Sequence, residues 1–207
     1  MSDFRIDKIT NRDGSAGTQI AGITTFSGTS GMQLPVGPTE YRGGRGRGLF
    51  AGGGYPNYKI DIQKIEISTT GDGVDFGDLV QGVRGPSDGA SSSTRGLFAG
   101  GLGPSSNSNV GVINHVTISS DGGANNFGDL SVARFMCKGF SNQTRALFGG
   151  GYTTSPGQHR NIIDYVTIAS TGDATDFGDV MPVSGKNYTT YGHGSSPTRG
   201  VFGGGYY

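Results

Sequence analysis

Apolar and polar residues alternate at a spacing of two in three short segments of the chain. In the last of these segments, Val166 and Ile168 share one side, and Tyr165 and Thr167 share the other. The corresponding apolar pairs are Ile65 with Ile67 and Val116 with Ile118. Alternation of this kind among β-branched residues predicts strands with one face in a core. No segment sustains the spacing of an amphipathic helix, so the pattern predicts an all-β fold.

The alternating segments belong to a repeat with a period of about 50 residues. The peptide RGLFAGGG at Arg47 returns as RGLFAGG at Arg95, RALFGGG at Arg145 and RGVFGGG at Arg199. Between these copies lie IDIQKIEISTTGDGVDFGD from Ile60, VINHVTISSDGGANNFGD from Val112 and IIDYVTIASTGDATDFGD from Ile162. We therefore predict three β-repeats, 47–94, 95–144 and 145–198, followed by a terminal partial repeat strand, 199–207.

Glycine follows the first apolar strand of every repeat, and 41 of the 207 residues are glycine. Glycine runs let backbones approach closely, while Asp, Asn and Gly suit tight turns between short strands. An apolar strand followed by Gly-Gly at this period resembles the kelch repeat over residues 45–207, although the chain has no tryptophan. The resemblance implies a kelch-like or propeller-like array. Three repeats are fewer than the roughly four to eight blades of a closed propeller, so we expect a homo-oligomer, a dimer or a trimer, to cover the free edges.

The charges of the chain balance, with 16 Lys and Arg against 16 Asp and Glu. A nucleic-acid-binding protein normally carries a basic excess, so we expect no nucleic-acid partner, despite the stretch YRGGRGRGLFAGGG. Within that stretch, Arg47 heads a series that continues with Arg95, Arg145 and Arg199. We expect each of these arginines to bond an acidic or carbonyl group of its own repeat. The candidate carboxylates are Asp78, Asp129 and Asp179. The absence of a long apolar run predicts no membrane insertion.

Residues 1–40 lack the repeat pattern, and residues 41–46 are interpreted as a Gly/Arg hinge. Two interpretations of residues 1–40 stay open: a partly disordered lead-in, or an extended segment that orders on another subunit. The second makes this segment an anchor or oligomerisation element. Its apolar residues would then be the contacts: Phe4, Ile6, Ile9, Ile20, Ile23 and Phe26.

Residues that could carry chemistry lack the spacing that catalysis or metal binding requires. The three histidines and Cys137 fall in unrelated positions, and no paired carboxylates stand outside the repeated turns. The turn residues Asp72, Asp75 and Asp78 and their counterparts suit either calcium or simple turn hydrogen bonds. We therefore predict no catalytic residue, no cofactor and no metal site, and no enzymatic activity, while calcium at the turns stays an open alternative.

The repeats differ most in the loops after the glycine run and after Phe-Gly-Asp. Scaffolds carry binding function on such loops, and these loops are rich in rings beside Asn, Ser and Gly. We expect them to contact either a host-surface glycan or protein, or neighbouring subunits. The candidate contact residues are Tyr55, Tyr58, Phe135, Phe140, Tyr152, His159, Tyr188, Tyr191 and His193.

The whole chain resembles virion proteins of tailed phages that infect cyanobacteria. The resemblance rests on KITNRDGSAGTQIAGITTFSGTSGMQLPVGPTEYRGG followed by repeats such as TRGLFAGGG and IDYVTIASTGDATDFGDV. It implies a structural protein of the virion, assembled in the host cytoplasm as a tail-fibre or other appendage component. On this hypothesis residues 1–40 attach the chain to other virion proteins, and the repeats contact the host surface. The alternatives are a purely architectural decoration or connector protein, and a glycan-binding or glycan-degrading spike.

Overall fold

A computed structural model describes residues 46–54, 56–86, 88–180 and 192–204. Every regular element in these ranges is a β-strand, which confirms the predicted all-β class. The strands are β1 (Arg47–Ala51), β2 (Lys59–Glu66), β3 (Val74–Val83), β4 (Ala90–Ser91), β5 (Arg95–Leu102), β6 (Asn109–Thr117), β7 (Asn125–Asp129), β8 (Lys138–Ser141), β9 (Arg145–Gly149), β10 (Tyr152–Thr154), β11 (Gly157–His159), β12 (Ile162–Thr167), β13 (Thr175–Asp179), β14 (Gly192–Ser195) and β15 (Gly200–Gly203).

These strands form a series of antiparallel sheets with the same internal order. Sheet 1 is β1-β2-β3, sheet 2 is β4-β5-β6-β7, sheet 3 is β8-β9-β12-β13, and sheet 4 is the hairpin β14-β15. The short hairpin β10-β11 lies in a loop of sheet 3. Sheets 2 and 3 each begin one strand before their Arg-(Gly/Ala)-Leu-Phe strand. By the same correspondence, β14 and β15 are the first two strands of a fourth sheet.

Strand β12 of sheet 3 shows the predicted alternation, whereas the prediction is wrong for Ile67 of the corresponding segment in sheet 1, which is 69% exposed. Val166 and Ile168 are buried, whereas Thr167 is exposed, as the period of two requires. The register shifts at one equivalent place in β2, β6 and β12, directly after Ile62, Ile113 and Ile163. Such a bulge re-aims the following side chain. In sheets 2 and 3 that side chain is a buried polar one, Asn114 or Asp164.

The core lies between successive sheets. Phe76 of sheet 1 is 2% exposed and packs in one cluster with Phe98 and Val116 of sheet 2. Phe127 of sheet 2 is equally buried and packs in a second cluster with Phe148 of sheet 3. Burying a side chain of this size contributes about 1.5–3 kcal/mol. Each sheet therefore depends on the next for its apolar core.

Backbone hydrogen bonds join the same pairs of sheets. The N–H groups of Gly122 and Ala124 donate to the carbonyls of Phe76 and Asp78, both at 2.7 Å. One repeat later, Gly172 and Ala174 donate to Phe127 and Asp129 at 2.7 and 2.8 Å. The turn that follows the third strand thus docks onto the outer strand of the preceding sheet.

Glycine permits this close docking. A Cβ atom on Gly77 would meet the backbone of Gly122, and one on Gly128 would meet the carbonyl of Gly172. Both positions also have positive φ, +148° and +153°, which disfavours other residues.

The arginine series bonds differently from our expectation. Arg47 Nη1 donates to the carbonyl of Ile118 at 3.0 Å, and Arg95 Nη1 donates to that of Ile168 at 2.9 Å. These carbonyls belong to the following repeat. Two contacts of the series lie within one repeat: the 3.1 Å pair of Arg47 with Glu66, and Arg145, whose guanidinium lies 5.0 Å from the centre of the Tyr165 ring. The proposed partners Asp78 and Asp129 do not bond these guanidinium groups, because the long arginine side chain crosses the interface between sheets instead.

Candidate contact surface at the loop end

The antiparallel strand order brings the variable loops to one end of the sheets. The connections that follow β1 and β3 in sheet 1, β5 and β7 in sheet 2, and β9 in sheet 3 all emerge there. We call the polar and aromatic side chains at this end the loop surface. Its members are Tyr58, Arg84, Asn107, Asn109, Phe135, Tyr152, Thr154 and His159.

Hydrogen bonds connect the loops of three successive repeats. The Tyr58 hydroxyl donates to Asn107 Oδ1, and the Arg84 guanidinium lies 5.7 Å from the centre of the Tyr58 ring. The Thr154 N–H donates to Asn109 Oδ1 at 3.3 Å. The loops therefore form one continuous surface, held by contacts that the loops make with one another.

Rings cluster where the second repeat joins the third. Phe135 and Tyr152 meet edge to face at 5.6 Å, and Tyr152 and His159 do the same at 4.9 Å. The backbones of Phe135 and Tyr152 exchange two hydrogen bonds, at 3.0 and 2.9 Å. These three residues are half-buried, so the rings are fixed in place while part of each stays accessible. Fixed rings offer contact area at a small cost in side-chain entropy.

A buried ion pair lies beneath the loop surface. Arg134 and Asp164 are both 0% exposed, and Nη1 lies 2.8 Å from Oδ2. Arg134 also donates to three backbone carbonyls, those of Val132, Phe148 and Gly150. Asp164 accepts further bonds from the N–H and hydroxyl of Ser131 at 3.1 and 2.6 Å. The charges are therefore compensated, as burial requires.

Sequence reasoning missed this pair, although a signal was present. Arg134 occupies the position of Arg84 in the preceding repeat, and Asp164 occupies that of Asn114. Asn114 Oδ1 accepts the N–H of Val80 at 3.0 Å, which matches the bond from Ser131 to Asp164. An arginine retained between repeats, with a carboxylate at the matching strand position, predicts an ion pair.

The loop end also concentrates unusual backbone conformations. Ser106, Asn107 and Met136 have positive φ, at 53°, 54° and 60°, and all three lie in its loops. Non-glycine residues rarely adopt this region, and such conformations often occur at binding sites. Met136 is 48% exposed beside Phe135, so it adds an apolar side chain at this end.

The candidate contact residues divide into four sets. Tyr58, Phe135, Tyr152 and His159 come together on the loop surface. Phe140 does not belong there, because it is 4% exposed and packs on Phe202 at 4.4 Å. This corrects its expected role, since its alternating position in β8 points it into the interface between sheets 3 and 4. The remaining predicted residues outside the described ranges are Tyr55, Tyr188, Tyr191, Phe4, Ile6, Ile9, Ile20, Ile23 and Phe26.

His193, the last candidate, lies in β14 of sheet 4. Its Nδ1 is 3.2 Å from Asp88 Oδ2, and Lys138 Nζ is 2.9 Å from the same oxygen. Asp88 precedes sheet 2, Lys138 begins sheet 3, and His193 belongs to sheet 4. The first strands of sheets 3 and 4 therefore both contact the carboxylate that precedes sheet 2.

The turn carboxylates considered for calcium bond to neighbouring groups. Asp173 Oδ1 accepts the N–H of Asp129 at 3.0 Å, and Asp176 Oδ1 accepts that of Gly178 at 2.9 Å. Asp121 pairs with Lys64 and Arg47, and the Lys64 hydrogen bond is the main cause that lowers the pKa of Asp121. Within the described ranges, no three His, Cys, Asp or Glu side chains are grouped to hold a metal ion.

No protein-family model matches the chain, and no curated protein matches it in sequence. Among the residues that the structure covers, none belongs to a helix long and apolar enough to cross a membrane.

One histidine gives the fold a pH dependence. Burial, with a smaller contribution from the charge of Arg95, lowers the pKa of His115 from 6.5. The unfolded chain therefore takes up a proton first, and the stability from neutral His115 is lost as pH falls below about 6.5. We expect the free energy of unfolding to decrease between about pH 7.5 and about pH 5.5, and less steeply in His115→Gln. Urea denaturation measures both slopes; equal slopes would contradict the role of His115.

Proposed function

We propose that this chain is a non-enzymatic structural protein of a tailed-phage virion, displayed on an appendage and contacting the host surface through the loop surface. Its sheets are the blades of a kelch-like propeller in this proposal. The observation that carries the contact role is the convergence of loops from three repeats, which join Tyr58 to Asn107 and Thr154 to Asn109. The virion assignment is supported by the resemblance of the whole chain to cyanophage virion proteins.

The chemistry of the loop surface fits a glycan or a polar protein surface. Tyr152 and His159 present ring faces and edges, while Asn107 and Asn109 present amide groups that both donate and accept. Edge-to-face packing holds the rings, so little ordering is required when a partner binds. This combination resembles the surfaces by which rigid aromatic anchors and adaptable polar groups recognise partners.

Truncating the central ring should weaken binding to host cells. We expect Tyr152→Ala to reduce binding of the labelled full-length protein to cyanobacterial cells by about tenfold, because central aromatic residues dominate most interfaces. The backbone pair between Phe135 and Tyr152 does not need the ring. Flow cytometry over a range of protein concentrations measures the affinity.

The matched control is Thr167→Ala, an exposed residue near the opposite end of β12. It should leave binding unchanged. If wild-type protein binds no host cell and does not compete with phage adsorption, the contact role is wrong. Immunogold labelling of intact particles tests the virion assignment separately, because an unlabelled particle contradicts it whatever the binding result.

The architectural alternative has one observation in its favour. Phe50 and Ile67 on sheet 1 are 61% and 69% exposed, although their counterparts in sheets 2 and 3 are buried. A decoration or connector protein would cover such residues with other virion chains. Labelled particles together with no binding to cells would select this alternative.

A further inference from the structure

Sheet 3 carries an open face that its sister sheets have covered. Phe177 is 53% exposed, whereas the equivalent Phe76 and Phe127 are each 2% exposed. Phe76 packs against residues of sheet 2, and Phe127 packs against residues of sheet 3. Phe177 lines a cleft of about 330 Å³, and residues of β15 and of the turn before it form the other wall. This volume lies within the range of protein binding sites.

Strand β15 brings an open edge to the cleft. It pairs with β14 on one side, and among the described residues no strand pairs with its other side. The corresponding strands β5 and β9 have a neighbour on both sides. An unpaired edge offers a row of N–H and C=O groups, to which an extended peptide binds by adding a strand. The open edge therefore favours an extended polypeptide as the occupant of the cleft.

The lining of the cleft combines apolar side chains with two positive charges. Leu147, Ile163 and Phe177 supply the apolar side chains, and the exposed residues Arg145 and Arg199 supply guanidinium groups. Among the described residues that line the cleft, none is acidic. Charge complementarity therefore favours an occupant that carries carboxylates.

A sister interface shows what an arginine at this position bonds. Arg47 is the equivalent residue of sheet 1, and its Nη1 donates to the carbonyl of Ile118 at 3.0 Å and to Asp121 Oδ1 at 3.2 Å. Both acceptors belong to the segment of sheet 2 that covers sheet 1. In the described part of the chain Arg145 has neither acceptor, and its guanidinium lies 5.0 Å from the centre of the Tyr165 ring. An occupant with the same chemistry supplies both.

The backbone beside Phe177 has the conformation that close docking requires. A Cβ atom on Gly77 would meet the backbone of Gly122, and one on Gly128 would meet that of Gly172, because a turn of the next sheet docks at each place. Gly178 has a similar positive φ, +136°, but a Cβ atom there would meet nothing within 4 Å. The third docking place is therefore formed and uncovered.

We propose that the cleft binds an extended acidic segment of another protein. The segment adds to the open edge of β15 as a strand, packs apolar side chains on Phe177 and brings a carboxylate to Arg145. The described strands with the required pattern, β2, β6 and β12, are each paired on both edges. A second copy would have to open one of its own sheets to supply any of them, so the source is a different polypeptide.

A peptide taken from the sister interface is the probe. Residues 109–129, NVGVINHVTISSDGGANNFGD, form the two strands of sheet 2 that cover sheet 1, and they include Asp121. We expect the labelled synthetic peptide to bind the full-length protein saturably in fluorescence anisotropy. Arg145→Gln should weaken the affinity about tenfold, because a hydrogen bond to a charged group is lost. Arg145 is exposed, so the variant should fold normally, which circular dichroism checks.

Two controls locate the contact at Arg145. Lys59→Gln removes an exposed positive charge from sheet 1 and should leave the affinity unchanged. Asp121→Asn in the peptide should weaken binding to the wild-type protein but not to Arg145→Gln, because both changes remove one shared interaction. Equal binding of a scrambled peptide, or equal affinity of the wild type and Arg145→Gln, overturns the proposal.

Hydrogen exchange identifies the strand to which the peptide adds. Saturating peptide should slow the exchange of backbone N–H groups in β15, since the added strand accepts their hydrogen bonds. Protection that leaves β15 unchanged would contradict the proposed site.

Size-exclusion chromatography tests a second copy as the occupant. A monomeric wild-type protein that binds the peptide supports a different protein as the partner. If the wild type is a dimer and Arg145→Gln is a monomer, a second copy fills the cleft and the assignment is wrong. Tyr152→Ala should bind the peptide as the wild type does, so this proposal and the contact role of the loop surface can fail separately.

Discussion

Replacing Arg134 with methionine is expected to lower the free energy of unfolding by about 3–5 kcal/mol, because it leaves a buried carboxylate without its countercharge. Asp164 is 0% exposed, and its remaining partner after the change is Ser131. Three backbone carbonyls also lose their donor. Chemical denaturation followed by circular dichroism measures the loss.

A double substitution separates charge from packing. Arg134→Met with Asp164→Leu removes both charges, and we expect it to recover most of the lost stability, since an apolar pair of similar volume often replaces a buried ion pair. A loss below about 1 kcal/mol in Arg134→Met alone would contradict the burial of the Asp164 charge. No recovery in the double variant would assign the loss to packing and to the unpaired carbonyls.

Adding a methyl group at Gly128 is expected to lower the free energy of unfolding by at least about 2 kcal/mol, from positive φ and from the collision with the backbone of Gly172. The collision would also displace the hydrogen bonds that Gly172 and Ala174 donate to β7. Sheets 2 and 3 would separate at this point. Thermal denaturation of Gly128→Ala measures the combined effect.

Gly122→Ala isolates the backbone part of that effect. Gly122 has nearly the same φ, +156° against +153°, but its Cβ atom would meet nothing within 4 Å. The difference between the two variants is therefore the cost of the collision. Equal destabilisation of the two variants would show that Gly172 moves away from the added methyl group at no measurable cost in free energy.

The strands and their faces followed from local pattern. Val166 and Ile168 were predicted to share a buried face, and both are buried, because a strand alternates its side chains whatever surrounds it. The sequence also indicated which loops form the contact surface, because the repeats differ most from one another in these loops. The four predicted residues Tyr58, Phe135, Tyr152 and His159 lie together. The strand order places the loops after the glycine run and the loops after Phe-Gly-Asp at the same end of the sheets.

The contacts that long side chains make across the interfaces between sheets were not predicted from the sequence. Arg47 and Arg95 were expected to bond within their repeats, yet their carbonyl partners follow about 70 residues later, as Ile118 and Ile168. Phe140 was expected on a loop, and packing against Phe202 buries it. Local pattern does not specify which sheet faces which, so it cannot assign contacts across an interface.

The sequence by itself determined the all-β class, the spacing of the repeats and the inward faces of β6 and β12, because these depend on the alternation of neighbouring residues. Only the tertiary structure decided which equivalent residues are covered. Phe127 and Phe177 stand in nearly the same local sequence, yet one is 2% and the other 53% exposed. The difference comes from the neighbouring sheet, since burial depends on what packs against a face. The local sequence around Phe177 does not contain that neighbour.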